Sequence, residues 1–445
     1  MDPTSLFSPE EIAFWASKRL SGNLLYFTSL GMKLSIYLVV LLAGIHLVIR
    51  RHCSHIADWL YARPALAALG QRAPVLRRTV GVLERLSASS PTERNRWMID
   101  AMFPVAFSLM WFALYLPFEY FCTFVRPHLF GLSNQTLGQW WIDVARSFGL
   151  YALLSCMLGI GLFGLARKLP RSWWLWLWVA VVGMIWVWSM LAPYRASMVV
   201  DYKPLPQGQL RQSIEDLASE AGFALQQVRV VNTSKRSKVA GAHFMGEGPT
   251  RQVVLGDNLV NRFHPREVLF TVGHELGHQI HEHAARDWIT TAFAALVFLA
   301  LLRLMLWKGP AIRRLRLRPE ADPSILPLVL LVFHLLAIAN GPLSKYLSRQ
   351  EEFEADTAGL ELTRDPVAYI SLMVRLAREN KGDIDPPGWV RFYFMSHPSI
   401  VDRIRFGLAW AARHGMDIGP GAIPLPAPAE PLVPYDTPEG SARGP

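Results

Sequence analysis

Six runs of mostly apolar residues stand out along the chain, at 26–49, 101–125, 147–166, 173–194, 287–307 and 324–347. Each approaches the ~20 residues an α-helix needs to cross the hydrocarbon core of a bilayer. Lys33 interrupts the first run close enough to one end for its ammonium to reach the interface. Trp173, Trp174, Trp176 and Trp178 at the start of the fourth suit an interfacial belt. Two blocks with soluble-protein patterning separate and follow these runs, at 195–286 and 348–417. In the first, Ile214, Leu217 and Ala221 mark one face of a helix from about 209 to 221, stopped at Gly222 and followed by a Val-rich strand. "AGAHFMG" and "RQVVL" read as two short strands separated by the turn-rich "EGPT". From 265 to 283 the period becomes helical again, with Val268, Leu269, Val272, Leu276 and Ile280 in register.

The pattern therefore predicts six segments: an amphipathic N-terminal stretch 1–25, spans one to four in 26–194, a soluble block 195–286, spans five and six in 287–347, a second soluble block 348–417, and a Pro-rich tail 418–445 expected to be extended or disordered. Composition agrees with a polytopic membrane protein, since 51% of the 445 residues are hydrophobic and 18% charged. Glu10, Glu11, Lys18 and Arg19 leave no cleavable apolar leader at the start. Cys53, Cys122 and Cys156 fall in or beside the spans without a CxxC pair and read as packing residues.

A net charge of +10 raises nucleic acid as a partner, but its placement argues against one. Arg50, Arg51, Arg63, Arg72, Arg77, Arg78, Arg85, Arg94 and Arg96 fall in the loop 50–96, Arg167, Lys168 and Arg171 in the next basic loop, and Lys308, Arg313, Arg314, Arg316 and Arg318 in a third. With six spans these loops share one side, which the positive-inside rule makes cytoplasmic, leaving both termini and the soluble blocks on the other.

The chemistry lies in "TVGHELGHQI", 271–280. On a helix His274 and His278 project from one face, near enough to ligate one metal ion, while Glu275 is displaced by about 100° and reaches a water beside it. Imidazole pairs of this kind suit zinc, and a zinc hydrolase takes a third protein ligand with the fourth position left open. "SRQEEFEADTAGLEL", 348–362, is a second helical pattern in which Glu352 and Asp356 share a face. Glu352 is a candidate third ligand and Asp356 a candidate partner for a ligand histidine, whereas Glu351 and Glu354 point elsewhere. "FMSHPSIVDRIRF" adds His397 and Arg403.

Together "HELGHQIHEH", "SRQEEFEAD", "SHPSIVDRI" and "KPLPQGQLRQSIEDLASEAGFALQQVRVVNTSKRS" resemble the type I CAAX prenyl protease family, integral-membrane zinc endopeptidases of the gluzincin group. The likeness is strongest over 200–284 and 345–406, and "FSPEEIAFWASKRL" is similar to the segment after the first span of eukaryotic members. It implies a mainly α fold, a barrel of membrane helices enclosing a chamber, capped by an α+β zinc domain. It implies His274, His278 and Glu352 as ligands of one Zn2+, Glu275 as general base, Asp356 as support for the histidines, and His397 and Arg403 near the substrate carbonyl and developing oxyanion. The implied substrate is a peptide or protein, prenylated in eukaryotic members, which loses three C-terminal residues.

Departures accompany the likeness. The substrate strand Gly241, Ala242, His243, Phe244 has glycine where the family carries asparagine and histidine where it carries tyrosine, so a side-chain clamp is lost while main-chain pairing is kept. Six spans replace seven, and the charge pattern puts the zinc block opposite the cytoplasm, a placement favouring membrane or envelope protein turnover over a cytoplasmic prenylated substrate. His46, Glu119 and His334 are candidate chamber-lining groups, Arg303 is expected to snorkel, His283 matches a recurrent family position, and His281 reads as exposed. Competing readings are a quality-control protease resembling the heat-shock membrane metalloproteases, and a non-catalytic chambered protein that binds or moves lipid.

Overall fold

A computed structural model describes residues 1–62, 78–82, 96–191, 202–246, 251–308 and 321–433. Much of the basic loops, including Arg63, Arg72, Arg85 and Arg313 to Arg318, and the "EGPT" turn lie outside these residues.

Helix α1 spans Pro9–Leu42; it opens with Pro9 in its first turn and a capping box between Ser8 and Glu11. The expected N-terminal segment and first span are thus one continuous helix. It ends at Leu42, short of 49, because Gly44 takes φ 71° and turns the chain into α2 (Ile45–Tyr61). Then come α3 (Arg96–Tyr120), which runs on through one π turn, Phe121–Val125, to Leu129, then α4 (Leu137–Lys168) and α5 (Trp173–Met190). Helices α9 (His283–Lys308) and α10 (Leu326–Thr363) flank the third basic loop. Among the described residues five helices are long and apolar enough to cross a membrane, and the Trp-rich segment Trp173–Val187 is apolar but shorter. The fourth expected run appears as this Trp-rich helix, and its continuation from 192 lies outside the described residues.

One end of the bundle is tied by ions. Asp322 accepts from Arg50 at 2.8 Å and Arg96 at 2.9 Å, and Asp100 pairs with Arg167. Both carboxylates are buried, so their cations offset a desolvation that would otherwise be severe. Residues from all three basic stretches or their borders therefore meet at one end, as the charge pattern predicts. Gly159 lets α4 close on α3, since a Cβ there would lie 2.2 Å from Asp100 O.

The domain that carries the HELGH helix stands at the other end. Its strands β1 (Tyr202–Pro204), β2 (Gln227–Val231), β3 (Ala242–Met245) and β4 (Gln252–Gly256) form a sheet in the order β1-β2-β4-β3, with β2 and β4 parallel and the other pairs antiparallel. Helix α6 (Gln209–Glu220) inserts Ile214 and Leu217 into the core beneath the sheet. Helices α7 (Asp257–Arg262), α8 (Pro265–Ile280), α11 (Pro366–Asn380), α12 (Gly388–Phe394) and α13 (Ile400–Arg413) complete the domain with the upper part of α10. The foot of α1 belongs to this end, with Phe7 and Trp15 in the same core and Glu11 paired to Arg378.

As far as Val433 the tail is extended and docked on the domain. Ile423 and Val433 are buried, Val433 exchanges two hydrogen bonds of 2.9 Å with the Asn261 side chain, and Leu425 N–H donates to Ser371 Oγ at 2.8 Å. Apolar anchors spaced among the prolines hold the segment against the domain although it has almost no regular structure.

Candidate metal centre

Helix α8 is set by Pro265 in its first turn and by a capping box in which His264 N–H donates to Glu267. Gly277 lets α8 lie directly on α10, because a Cβ there would sit 2.8 Å from Ala355 Cα. That approach brings the histidine face of α8 against the acidic face of α10. The Nε2 atoms of His274 and His278 lie 3.2 Å apart, and Glu352 Oε2 is 3.5 Å from His274 Nε2 while its Oε1 is 3.8 Å from His278 Nε2. One donor atom from each of the three residues falls within a 4.8 Å cluster.

The opposite ring nitrogens are already engaged. His274 Nδ1 faces Asp356 Oδ1 at 2.9 Å, so its proton is spent there and Nε2 keeps a lone pair. His278 Nδ1 faces His283 Nδ1 at 2.7 Å, His283 Nε2 faces Glu354 Oε2 at 2.9 Å, and Arg286 holds that carboxylate at 2.8 Å. A consistent set of tautomers has His278 Nδ1–H donating to His283 and His283 Nε2–H donating to Glu354, which again leaves a lone pair on His278 Nε2. Burial first, then the neighbouring His274 and His283, lowers the His278 pKa to about 3, holding the imidazole neutral. Glu352 Oε2 is buried without a hydrogen-bond partner. Three lone-pair donors facing one point, one of them an orphaned buried carboxylate oxygen, fit a divalent metal ion and fit little else.

Around this centre, burial lifts the Glu275 carboxyl to about 7, a range suited to taking a proton near neutral pH. The Phe244 main-chain N–H faces the same carboxylate across the packing of β3 on α8 and opposes part of that rise. His397 Nε2 lies 3.1 Å from Glu352 Oε1 with its side chain 58% exposed, at the open side of the centre. Arg403 is placed differently from the position the resemblance implies. Its Nε donates to Asp356 Oδ2 at 2.8 Å, its Nη2 donates to Asp356 Oδ1, and Nη1 lies 4.0 Å from Glu352. A buried carboxylate such as Asp356 needs a cation, and Arg403 supplies it with help from Tyr369 OH at 2.8 Å.

Strand β3 is the free edge of the sheet. Gly241 O accepts Gly256 N–H at 2.9 Å, so alternation turns the main-chain groups of Ala242 and Phe244 to the open side. Nothing lies within 4 Å of the Cβ position of Gly241, and His243 is exposed on the face away from the core, with burial in the surrounding concavity lowering its pKa. Of the membrane-level candidates, His46 is buried and bonded to Val40 O at 3.0 Å across the α1–α2 corner, which removes it from any lining role. His334 bonds its own turn at Leu330 O, 2.8 Å, with its ring beside Tyr37. Glu354 is the residue that helical spacing misplaces. It reaches His283 because α8 ends at Ile280 and Glu282 takes φ 53°, folding His283 back over the helix.

A helical membrane bundle with a HExxH helix and an acidic third donor on a continuing membrane helix defines an integral-membrane metalloendopeptidase. A sequence profile of peptidase family M48 matches residues 204–411, and one described as "CAAX prenyl protease N-terminal, five membrane helices" matches 71–196. The chain belongs to the CAAX prenyl protease family within M48. It is 28% identical to the uncharacterized metalloprotease YhfN of Bacillus subtilis over 91% of this chain and 87% of that one. It is 25% identical to the human CAAX prenyl protease 1 homolog, covering 65% of this chain and 69% of that protein. The crystal structure of S. mikatae Ste24p superposes with a TM-score of 0.65 at 19% identity, covering 90% of this chain and 99% of that one. The fold is thus a mainly α, polytopic membrane barrel with an α+β domain carrying the histidines, and the membrane-embedded protein acts on peptide or protein substrates.

Proposed function

We propose that the metal is zinc, held by His274, His278 and Glu352, and that the enzyme hydrolyses a peptide bond of a substrate laid along β3. The observation that carries this reading is the convergence of three lone-pair donors whose remaining hydrogen-bonding groups are turned elsewhere. Bound zinc supplies Lewis-acid activation of water and of the scissile carbonyl. Glu275, at the level of Phe244 on β3, takes the proton of the attacking water and returns it to the leaving amine. The free main-chain groups of Ala242 and Phe244 pair with the substrate backbone and hold the bond in line. His397, at the open side, donates to the developing oxyanion. Asp356 fixes the His274 ring, and Arg403 holds Asp356 ionised.

Relatives named CAAX prenyl protease support a substrate cut near its C-terminus, with or without a prenyl group. Glu275→Ala is expected to keep one zinc per chain by elemental analysis while losing nearly all turnover of a farnesylated peptide. Glu352→Ala is expected to lose the zinc itself. Wild-type turnover in the first variant, or full zinc in the second, overturns the assignment. Faster cleavage of the farnesylated peptide than of its unprenylated twin establishes the lipid preference, and equal rates remove it.

A further inference from the structure

Beside the start of β3 three cations gather with no acid among them. Lys18 Nζ donates to Asn380 O at 2.6 Å and Lys381 O at 3.0 Å. Arg126 Nη2 donates to Lys18 O at 2.9 Å and Ser21 Oγ at 3.3 Å, and Lys381 Nζ donates to Phe130 O at 2.7 Å. Among the described residues none of the three joins an ion pair; the nearby Asp383 is taken by Arg19 at 2.6 Å. Arg126 Nε is buried without a hydrogen-bond partner. Main-chain carbonyls hold the cations in place, yet each keeps donors beyond those already spent.

These groups are joined to β3 from two sides. Asn380, whose carbonyl holds Lys18, accepts Ala240 N–H on its side chain at 3.4 Å. The turn carrying Arg126 and Phe130 is bonded to the segment entering β3 through Lys238 N–H to Leu132 O at 3.1 Å and Asn134 N–H to Arg236 O at 2.9 Å. A peptide running antiparallel to β3 enters at Met245 and carries its C-terminal end toward Ala240. Glu275 marks the level of the reacting bond at Phe244. The four steps from Phe244 to Ala240 cover about 13 Å at ~3.3 Å each. That distance accommodates three or four substrate residues beyond the scissile bond.

We propose that Lys18, Arg126 and Lys381 form a subsite for the free α-carboxylate at the substrate's C-terminus, so that the enzyme cuts at a fixed short distance from a chain end. The proposal rests on the endopeptidase reading of the metal centre and adds the feature that measures from the terminus. Charge-assisted hydrogen bonds to preplaced cations distinguish a terminal carboxylate from an amide of the same shape.

The test uses full-length Glu275→Gln protein in detergent, so that binding is read without turnover. Two dansylated decapeptides with a farnesylated cysteine fourth from the end, one a C-terminal acid and one its amide, are titrated by fluorescence anisotropy. The acid is expected to bind at least about tenfold more tightly than the amide. Lys381→Gln and Arg126→Gln are each expected to bring that ratio toward one by weakening the acid alone, with Lys381→Arg restoring it. Equal binding of acid and amide overturns the proposal. So does an equal loss for both peptides, the result expected if the cations only clasp helices or take a phospholipid phosphate. If the acid preference holds while the wild-type, zinc-loaded enzyme cleaves neither peptide, the subsite stands and the endopeptidase reading falls.

Discussion

His283 donates no ligand atom to the metal cluster, yet it decides which nitrogen of His278 can. Its Nδ1 accepts the His278 proton at 2.7 Å only while its own proton sits on Nε2, against Glu354 at 2.9 Å. His283→Ala is therefore expected to weaken zinc affinity by roughly 10- to 100-fold, measured by competition with a chelator, with Glu354→Gln milder because an amide oxygen still accepts. Unchanged affinity in His283→Ala would show that the His278 tautomer is set without it. Residue chemistry was legible in the sequence where one helix carries its own logic, as with His274, Glu275 and His278, and with Glu352 and Asp356. It was illegible where the chain doubles back. Nothing in the spacing of Glu354 announces His283, because the link depends on the positive φ of Glu282. Arg403 was legible as a site residue, while its place behind Asp356 depends on how α13 packs.

At the scale of elements, the centre depends on how closely α8 lies on α10. Gly277 has no room for a side chain at 2.8 Å from Ala355 Cα, and the clash is with main chain that cannot swing aside. Gly277→Val is expected to cost at least about 1–3 kcal/mol through overpacking, read as a lower thermal midpoint together with lost zinc, since separation of the helices takes Glu352 from the histidines. The tail offers a second test. Leu425 is held by Ser371, whose hydroxyl bonds Glu267, the residue that caps α8. Removing residues 418–445 is expected to lower the midpoint and expose the α8 N-terminus to hydrogen exchange, and an unchanged midpoint would show the docked segment to be dispensable. Prolines and short apolar anchors carry no period, so such a segment reads from sequence as disorder even where side chains of the domain hold it.

For the whole molecule, the structure joins the basic borders Arg50, Arg96 and Arg167 at one end and seats the foot of α1 with the metal domain at the other. The positive-inside rule then directs the metal domain away from the cytoplasm. A cysteine at exposed Asp216 is expected to react with a membrane-impermeant maleimide in intact cells, and one at exposed Arg51 only after permeabilisation. The reverse pattern would place catalysis in the cytoplasm. Apolar run length gave the sequence its membrane character and the alternation of its loops. The continuity of α1 across the expected boundary at 25 was hidden, because the amphipathic foot and the lipid-facing portion share one helical period.

Helix α10 runs unbroken for 38 residues from the ion-tied end to the metal centre. From Leu326 to Glu352, with Pro342 within it, it covers about 39 Å at ~1.5 Å per residue, and a tilt of about 5° pivoting at the tied end moves its far end by roughly 3 Å. Tilt is the usual response of a membrane helix to a change in hydrocarbon thickness. The enzyme is in this sense a lever resting in its own solvent: its turnover should follow the acyl-chain length of the surrounding bilayer, with an optimum where the carboxylate end of the rod meets the two imidazoles.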